Sequence, residues 1–348
     1  MAQEAVRTRF VWHELMTTDT KSAAAFFTKV VGWKTQASTQ IPSYTMFMTK
    51  GRGAAGLMAM TEEVKAMGAP PHWLSYIATP DVDRTIAQAT TLGAKVLKPA
   101  ADIPTVGRFG VLQDPQGAVF AVFTAAPGGM PPDGGAGLGE YVWHELMTTD
   151  RAGAFSFYQS LFGWQDAGSM DMGPQGTYQQ FGLDGKAFGG MFRPAQMPGP
   201  PVWLPYVSVA DVTKAAAAIK RLGGTVINGP MPIPGGDMIV QALDGQGVMF
   251  ALHASKQVAA AQPSGNTARP APQKTAKAAP QKIAKAAPQK ITRAARAAVK
   301  ASSKKTKFNK TTARTRPARR KTGPKAAARK ATRRRSAGRR PSGRRRSR

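Results

Sequence analysis

The stretch Val11-Trp-His-Glu-Leu-Met-Thr-Thr-Asp19 occurs twice in this chain of 348 residues, because it returns without a change at positions 142–150. The similarity continues in register, since Trp73-Leu-Ser-Tyr76 is matched by Trp203-Leu-Pro-Tyr206. A repeat of this length indicates two copies of one structural unit. The Gly/Pro-rich stretch 126–139 between the copies is typical of a linker.

Each copy carries, twice, the pattern of a strand followed by a helix. Phe10–Thr17 has the length and apolar content of a strand. Asp19 can cap the helix that follows, in which Phe27 and Val30 belong to one apolar stripe. Further short strands follow the helix, and the same order begins again at Trp73. We therefore predict an α+β fold of four βαβββ modules, two in each copy.

These motifs resemble the vicinal-oxygen-chelate superfamily, which includes glyoxalase I, bleomycin-resistance proteins and extradiol dioxygenases. The resemblance is carried by W-x-E-L-x-T-x-D, by the Gly-Trp pair after the first helix and by the closing turn D-P-x-G-A-x-F. It covers 8–125 and 140–254 and is especially clear for the tandem, mycobacterial-type glyoxalase-like proteins. It implies that each domain curls into a cup, where the family's enzymes hold a divalent metal on His and Glu side chains.

The residues at the family's metal-ligand positions are apolar in both copies. A metal site of this kind needs imidazole or carboxylate donors. The resemblance therefore implies the family's fold and argues against its metal chemistry, so we expect no metal and no cofactor. Whether the chain catalyses any reaction stays open at this point. The matched positions hold Trp12, Leu74 and Ala121 in the first copy and Trp143, Leu204 and Ala251 in the second.

Aromatic residues and one carboxylate are the ligand-binding candidates of each cup. Successive residues of a strand face opposite sides, so Glu14 shares the face of Trp12 while His13 points away. Two interpretations stay open: these residues bind a flat or cationic small molecule, or they fill a collapsed cup. Trp33 and Trp164, at helix ends, are expected in the core. The candidates are Trp12, Glu14, Tyr44, Tyr76 and Phe120 in the first cup and Trp143, Glu145, Tyr178, Tyr206 and Phe250 in the second.

The charge of the chain is concentrated at one end. The chain has 49 Lys and Arg residues against 19 Asp and Glu, a formal net charge of +30. The segment 256–348 holds 31 of the basic residues and no acidic one, which leaves a net charge of −1 before it. The tail, 255–348, is rich in Ala, Pro, Ser and Thr, and Phe308 is its single aromatic residue. We expect such a segment to be disordered by itself.

In composition, the tail resembles the C-terminal domain of histone-H1-like proteins. A chain with 31 cations and no counter-charge condenses onto polyanions, which predicts non-specific binding to DNA, or to RNA. A nucleoid-associated location in the cytoplasm follows from this prediction. The predicted nucleic-acid-binding residues are Lys274, Lys277, Lys282, Lys285, Lys290, Arg293, Arg296, Lys300, Lys304, Lys305, Arg319, Arg320, Lys321, Arg333, Arg334, Arg335, Arg344, Arg345 and Arg346.

Several other classes of protein are excluded by composition. The chain has no cysteine, which excludes disulfides, Cys-ligated zinc and thiol catalysis. It has no apolar run of 18 residues, so we expect no membrane partner. The Gly189-Gly190 pair predicts a turn. Two hypotheses remain: a small-molecule-binding protein tethered to DNA, or a lyase-, isomerase- or dioxygenase-like enzyme or drug-sequestering protein whose tail only localises it.

Overall fold

The computed structural model describes residues 8–127, 137–173, 176–194 and 199–256. All of these residues belong to one unit of the chain, 1–279. Most of the predicted linker and nearly all of the predicted nucleic-acid-binding tail lie outside the described residues. Within the described part, no helix is long and apolar enough to cross a membrane.

The predicted α+β fold is confirmed, because each copy consists of two βαβββ modules. The first copy contains β1 (Phe10–Thr17), α1 (Thr20–Val30), β2 (Lys34–Ala37), β3 (Thr45–Thr49), β4 (Arg52–Ala59), α2 (Glu62–Ala66), β5 (His72–Ala78), α3 (Val82–Thr91), β6 (Lys95–Ile103), β7 (Gly107–Gln113) and β8 (Val119–Ala125). The second contains β9 (Tyr141–Met147), α4 (Arg151–Phe162), β10 (Gln165–Asp171), β11 (Thr177–Leu183), β12 (Lys186–Phe192), β13 (Val202–Ser208), α5 (Val212–Arg221), β14 (Thr225–Pro232), β15 (Met238–Leu243) and β16 (Met249–Ala254).

An aspartate begins the long helix of every module. The side chain of Asp19 accepts a hydrogen bond from the backbone N–H of Ser22 at 3.0 Å. Asp81, Asp150 and Asp211 cap α3, α4 and α5 in the same way. Such a cap satisfies an N–H group that has no partner inside the helix. The repeated aspartate therefore fixes where each first strand ends and its helix begins.

Each copy forms one eight-stranded mixed sheet. The strand order is β2-β3-β4-β1-β5-β8-β7-β6 in the first copy and β10-β11-β12-β9-β13-β16-β15-β14 in the second. The two central strands of the first sheet, β1 and β5, are antiparallel, and Trp12 pairs with Tyr76. Tyr76 in turn pairs with Ala121 on β8. These residues form one row across the concave face, which is therefore the floor of the cup.

The two largest hydrophobic cores lie between the copies. Helix α1 packs against the second sheet, where the rings of Phe26 and Phe27 lie 5.7 and 5.1 Å from that of Phe250. Helix α4 packs against the first sheet, and its Tyr158 ring lies 5.4 Å from that of Phe120. Each core thus combines the first module of one copy with the second module of the other. Neither copy has a complete core by itself.

Two buried tryptophans join the copies by hydrogen bonds, and their predicted core positions are confirmed. Trp33 is 3% exposed and its Nε1 donates to Gly139 O at 2.7 Å. Trp164 is fully buried and its Nε1 donates to Thr8 O at 2.7 Å. In each case the tryptophan of one copy bonds the backbone just before the first strand of the other. The two contacts are equivalent under the pseudo-symmetry of the repeat.

Gln246, in the turn between β15 and β16, makes a further contact between the copies. Its Oε1 accepts hydrogen bonds from Thr17 Oγ1 at 2.7 Å and from Asp19 N at 2.9 Å. Its Nε2 donates to Asp19 O at 3.0 Å. One amide thereby fixes the second copy on the turn that joins β1 to α1.

Because both copies contribute to each core, we expect the globular part to unfold in a single transition. Phe27→Ala and Phe250→Ala should each lower the free energy of unfolding of the whole unit by about 3–5 kcal/mol, the usual cost of deleting a buried aromatic ring. Urea unfolding followed by tryptophan fluorescence and by circular dichroism measures this. Met67→Ala, at a position that is 62% exposed, is the control. Two separate transitions, with only one copy affected by each change, would contradict a shared core.

Candidate ligand-binding site

Successive side chains of β1 lie on opposite faces of the sheet, in two different environments, as predicted. Trp12 belongs to the apolar cluster of the first cup, and the Glu14 carboxyl is bonded there to Tyr76. His13 points to the other face of the sheet, where it meets His144 of the second copy. The cup face and the face buried between the copies therefore carry different chemistry.

The first cup holds a cluster of two tyrosines, a tryptophan and a carboxylate. The Tyr76 hydroxyl donates to Glu14 Oε1 at 3.1 Å. The Tyr44 hydroxyl also bonds this carboxylate and accepts from Trp12 Nε1 at 2.9 Å. Glu14 is only 7% exposed, so its charge depends on these hydroxyl groups for solvation. The structure brings together four of the five candidates of this cup.

The second cup repeats the cluster. Tyr206 donates to Glu145 Oε1 at 3.1 Å and Tyr178 donates to Glu145 Oε2 at 3.2 Å. Trp143 Nε1 donates to the Tyr178 hydroxyl at 2.7 Å. Glu145 is 7% exposed, the same as its counterpart in the first cup. The same four types of side chain therefore meet in both cups.

Two strand glycines make room for the tyrosines. In register, Gly56 lies opposite the glutamate of the first cup and Gly190 lies opposite that of the second. A Cβ atom at Gly56 would collide with the Tyr44 hydroxyl, and one at Gly190 would collide with the Tyr178 ring. The prediction of a turn at 189–190 is wrong, because both residues lie within β12. Glycine inside a strand here marks the close approach of a side chain.

Phe120 and Phe250 are the two candidates that the structure does not bring to the cups. Each lies on the opposite face of its strand, in the cores between the copies. The residues next to them, Ala121 and Ala251, face the cups instead. The prediction was wrong because adjacent residues of a strand cannot share one face, and the alanine positions already occupied the cup side.

Burial changes the acid–base behaviour of both carboxylates. It raises the pKa of Glu145 to about 7, although hydrogen bonds from Tyr206, Tyr178 and Gln241 favour the ionised form. Burial also raises the pKa of Glu14 above its ordinary value. Removal from water penalises the charged form of an acid, and this effect exceeds the effect of the hydroxyl donors. The second cup can therefore hold or release a proton near neutral pH.

The cups do not fit the divalent metal of the family's enzymes. Among the described residues, no group of three or more His, Asp or Glu side chains is placed to hold a metal ion. In the part of the chain that the structure describes, each cluster has a single carboxylate, which is already bonded to tyrosine hydroxyl groups. The positions matched to the family's ligands face the cups but carry no donor for such an ion: Trp12, Leu74, Ala121, Trp143, Leu204 and Ala251.

Gln241 belongs to the second cluster and was not among the sequence candidates. Its Nε2 donates to Glu145 Oε1 at 3.1 Å and to the Tyr206 hydroxyl at 2.6 Å. The signal that could have identified it is the comparison of the two copies. Counted back from the turn aspartate, Gln241 stands where the first copy has Val111. A polar residue in place of an apolar one on a cup strand makes the two cups chemically different at this position.

His13 and His144 form a neutral pair between the copies. His144 Nδ1 lies 3.2 Å from Phe188 O, so this nitrogen carries the proton and donates. His144 Nε2 then accepts from His13 Nε2 at 3.1 Å, and His13 Nδ1 accepts from Ser75 Oγ at 3.0 Å. Burial lowers the pKa of His144 to about 3 and that of His13 well below its ordinary value. The pair is a structural contact, remote from both cup faces.

A tandem of cups, each built from two βαβββ modules, defines a known class of proteins. The profile described as "Glyoxalase/Bleomycin resistance protein/Dioxygenase superfamily" matches residues 9–122 and 139–252, and the chain belongs to that superfamily. The protein named "Putative glyoxylase CFP32" of Mycobacterium tuberculosis is 31% identical over 250 residues, covering 69% of this chain and 92% of that protein. "Anthracycline biosynthesis protein DauV" of Streptomyces sp. is 28% identical over 270 residues, covering 69% and 91%.

Solved structures of low sequence identity share the fold. The Mn(II)-bound glyoxalase from Novosphingobium aromaticivorans superposes with a TM-score of 0.52 at 15% identity, covering 72% of this chain and 83% of that one. The 2,3-dioxygenase LapB from Pseudomonas sp. KL28 gives a TM-score of 0.51 at 11% identity, covering 73% and 94%. At these identities the similarity concerns the arrangement of strands and helices alone.

We expect Glu145→Gln to change how stability depends on pH. In the unfolded chain this carboxyl ionises near 4.5, whereas in the folded protein it keeps its proton up to about 7. The wild-type protein therefore loses stability as pH rises from about 4.5 to about 7, and the variant lacks this loss. Urea unfolding across that range should find the variant gaining stability relative to wild type, with a plateau above pH 7. Glu62→Gln, at an exposed position, is the control. A pH-independent difference for Glu145→Gln would contradict the buried, protonated carboxyl.

Proposed function

We propose that each cup binds a flat, largely apolar small molecule without a metal ion, and that the basic tail holds the protein non-specifically on DNA. The observation that carries the first part is the Trp–Tyr–Glu–Tyr cluster, present in both cups at positions where no metal donors converge. Binding without metal chemistry is the function that this set of side chains supports best.

The half-buried tryptophans support a flat ligand. The indole N–H groups of Trp12 and Trp143 are already bonded to tyrosine hydroxyls, so the ring faces are what these residues offer to a ligand. Half-buried apolar side chains such as Met58, Phe109 and Met170 extend the same surfaces. Relatives named for anthracycline biosynthesis fit this class, since anthracyclines are flat and aromatic.

An enzymatic function is the second candidate. It is favoured by the similarity to a protein named as a glyoxylase and by one chemical feature of the second cup. Glu145 has a pKa raised to about 7, the range in which a carboxyl group works well as a general acid or base. A drug-sequestering protein would bind its ligand in the same cups without any proton transfer by Glu145.

Indole is a suitable probe for the cups because it is flat and mostly apolar. Isothermal titration calorimetry of the full chain should find two sites for it. Trp12→Ala and Trp143→Ala should each weaken one site about 30-fold, because a central aromatic contact is lost. Met67→Ala is the surface control and should change neither site. Absence of indole binding, or binding unaffected by both tryptophan changes, would refute the proposed ligand site.

The tail proposal rests on charge alone. The segment 256–348 holds 31 basic and no acidic residues, whereas the part before it has a net charge of −1. A polycation of this kind binds DNA by releasing condensed counterions and hardly responds to base sequence. Nucleoid association follows from this proposal, and the predicted contact residues from Lys274 to Arg346 are its cations.

We expect the affinity of the full chain for DNA to fall steeply with salt. If about eight to twelve cations contact phosphates at once, log K should fall with log salt at a slope of roughly −7 to −11. Fluorescence anisotropy with two unrelated duplexes of equal length measures both slope and sequence preference. A chain ending at Lys256 should lose nearly all binding. A shallow slope with a strong preference for one duplex would point to direct base readout and against this proposal.

A further inference from the structure

The two cups differ beside the buried carboxylate at the position held by Gln241 in the second copy and Val111 in the first. Gln241 on β15 pairs with Ala251, and Val111 on β7 pairs with Ala121 at the equivalent place of the first sheet. Both side chains face their cups, because their partners do. An amide in the second cup therefore takes the place of an isopropyl group in the first.

In the second cup the amide is part of a hydrogen-bonded chain. Gln241 Nε2 donates to Glu145 Oε1 and to the Tyr206 hydroxyl, at 3.1 and 2.6 Å. Gln241 Oε1 accepts from Asn228 Nδ2 at 3.3 Å. A carbonyl oxygen can accept two hydrogen bonds, so the Oε1 of this half-buried residue has capacity for one more. The second cup thus offers an acceptor beside its aromatic surface.

In the first cup the same place is apolar. The Val111 side chain offers no polar atom, and among the described residues the side-chain partners of Glu14 are tyrosine hydroxyls. Across the sheet from Val111 lies Lys98, whose Nζ sits over the Phe109 ring, 5.8 Å from its centroid. The lysine thereby makes a cation–π contact with this ring at the edge of the cup. A ligand in the first cup meets hydrocarbon where a ligand in the second meets an amide.

We propose that the two cups select different ligands and that Gln241 determines this difference in selectivity, an inference that rests on the proposed function. The second cup takes a flat aromatic molecule that carries a hydrogen-bond donor, which Gln241 Oε1 accepts. The first cup takes a flat molecule without regard to such a donor. An apolar ligand in the second cup would cover the amide oxygen and leave its acceptor site dry and unpaired, which costs affinity.

Indole and indene test this proposal, since they share one shape and differ in the N–H donor. Titration calorimetry of the full chain carrying Trp12→Ala measures binding to the second cup. The same measurement with Trp143→Ala measures binding to the first cup. We expect the second cup to bind indole about tenfold more tightly than indene, and the first cup to bind the two within about twofold. Gln241→Val combined with Trp12→Ala should abolish the preference of the second cup for indole. Val111→Gln combined with Trp143→Ala should create such a preference in the first cup. Gln241→Met, which keeps the length of the side chain, gives an independent measurement if the valine variant unfolds.

Three results would overturn the inference alone. One is the same preference in both cups, and another is a preference that survives Gln241→Val and Gln241→Met. The third is equal binding of indole and indene by the second cup, which would leave the proposed function standing and remove the selectivity. Failure of both probes to bind either cup refutes the proposed function itself, and the inference with it. The two failures are therefore distinguishable.

Discussion

The aromatic packing between the two sheets is the constraint on which the rest of the structure depends. Helix α1 lies between its own sheet and the second one, with Phe27 against Phe250, and α4 lies in the equivalent place on the other side. Because the helices cover the inner face of each sheet, the concave faces are directed away from this core. The described residues that line the cups therefore form clusters separate from the cores between the sheets.

Within each cup, the buried carboxylate organises the polar atoms. A charged or polar group removed from water requires partners, and the tyrosine hydroxyls supply them. The hydroxyls of Tyr44 and Tyr178 reach this place only because Gly56 and Gly190 present no Cβ atom on the neighbouring strand. The glycine, the tyrosine and the glutamate consequently form one unit, and the half-buried tryptophan is bonded to it through its indole N–H.

Two levels of divergence are visible in this chain. Within the superfamily to which the chain belongs, the described residues of both cups are apolar at the positions matched to the family's metal ligands, and they do not fit its divalent metal. Between its own two copies, the cluster is kept while Val111 and Gln241 differ beside it. A duplicated unit with a shared core permits this second change, because the cores lie on the inner faces of the sheets and the differing residues lie on the outer ones.

Local pattern determined most of the architecture. The repeated Val11–Asp19 stretch, the aspartate caps and the apolar spacing predicted four βαβββ modules, and strand alternation predicted that Trp12 and Glu14 share a face away from His13. The sequence did not locate β2, whose residues are all exposed and carry no apolar period. Only the tertiary structure decided that the cores lie between the copies and that Gln241 reaches Glu145, whereas alternation along β8 and β16 already separates Phe120 and Phe250 from the alanines that face the cups. These facts depend on contacts between residues 38 to 223 positions apart in sequence, as in the pairs Phe120–Tyr158 and Phe27–Phe250. Periodicity reports only which side of its own element a residue occupies.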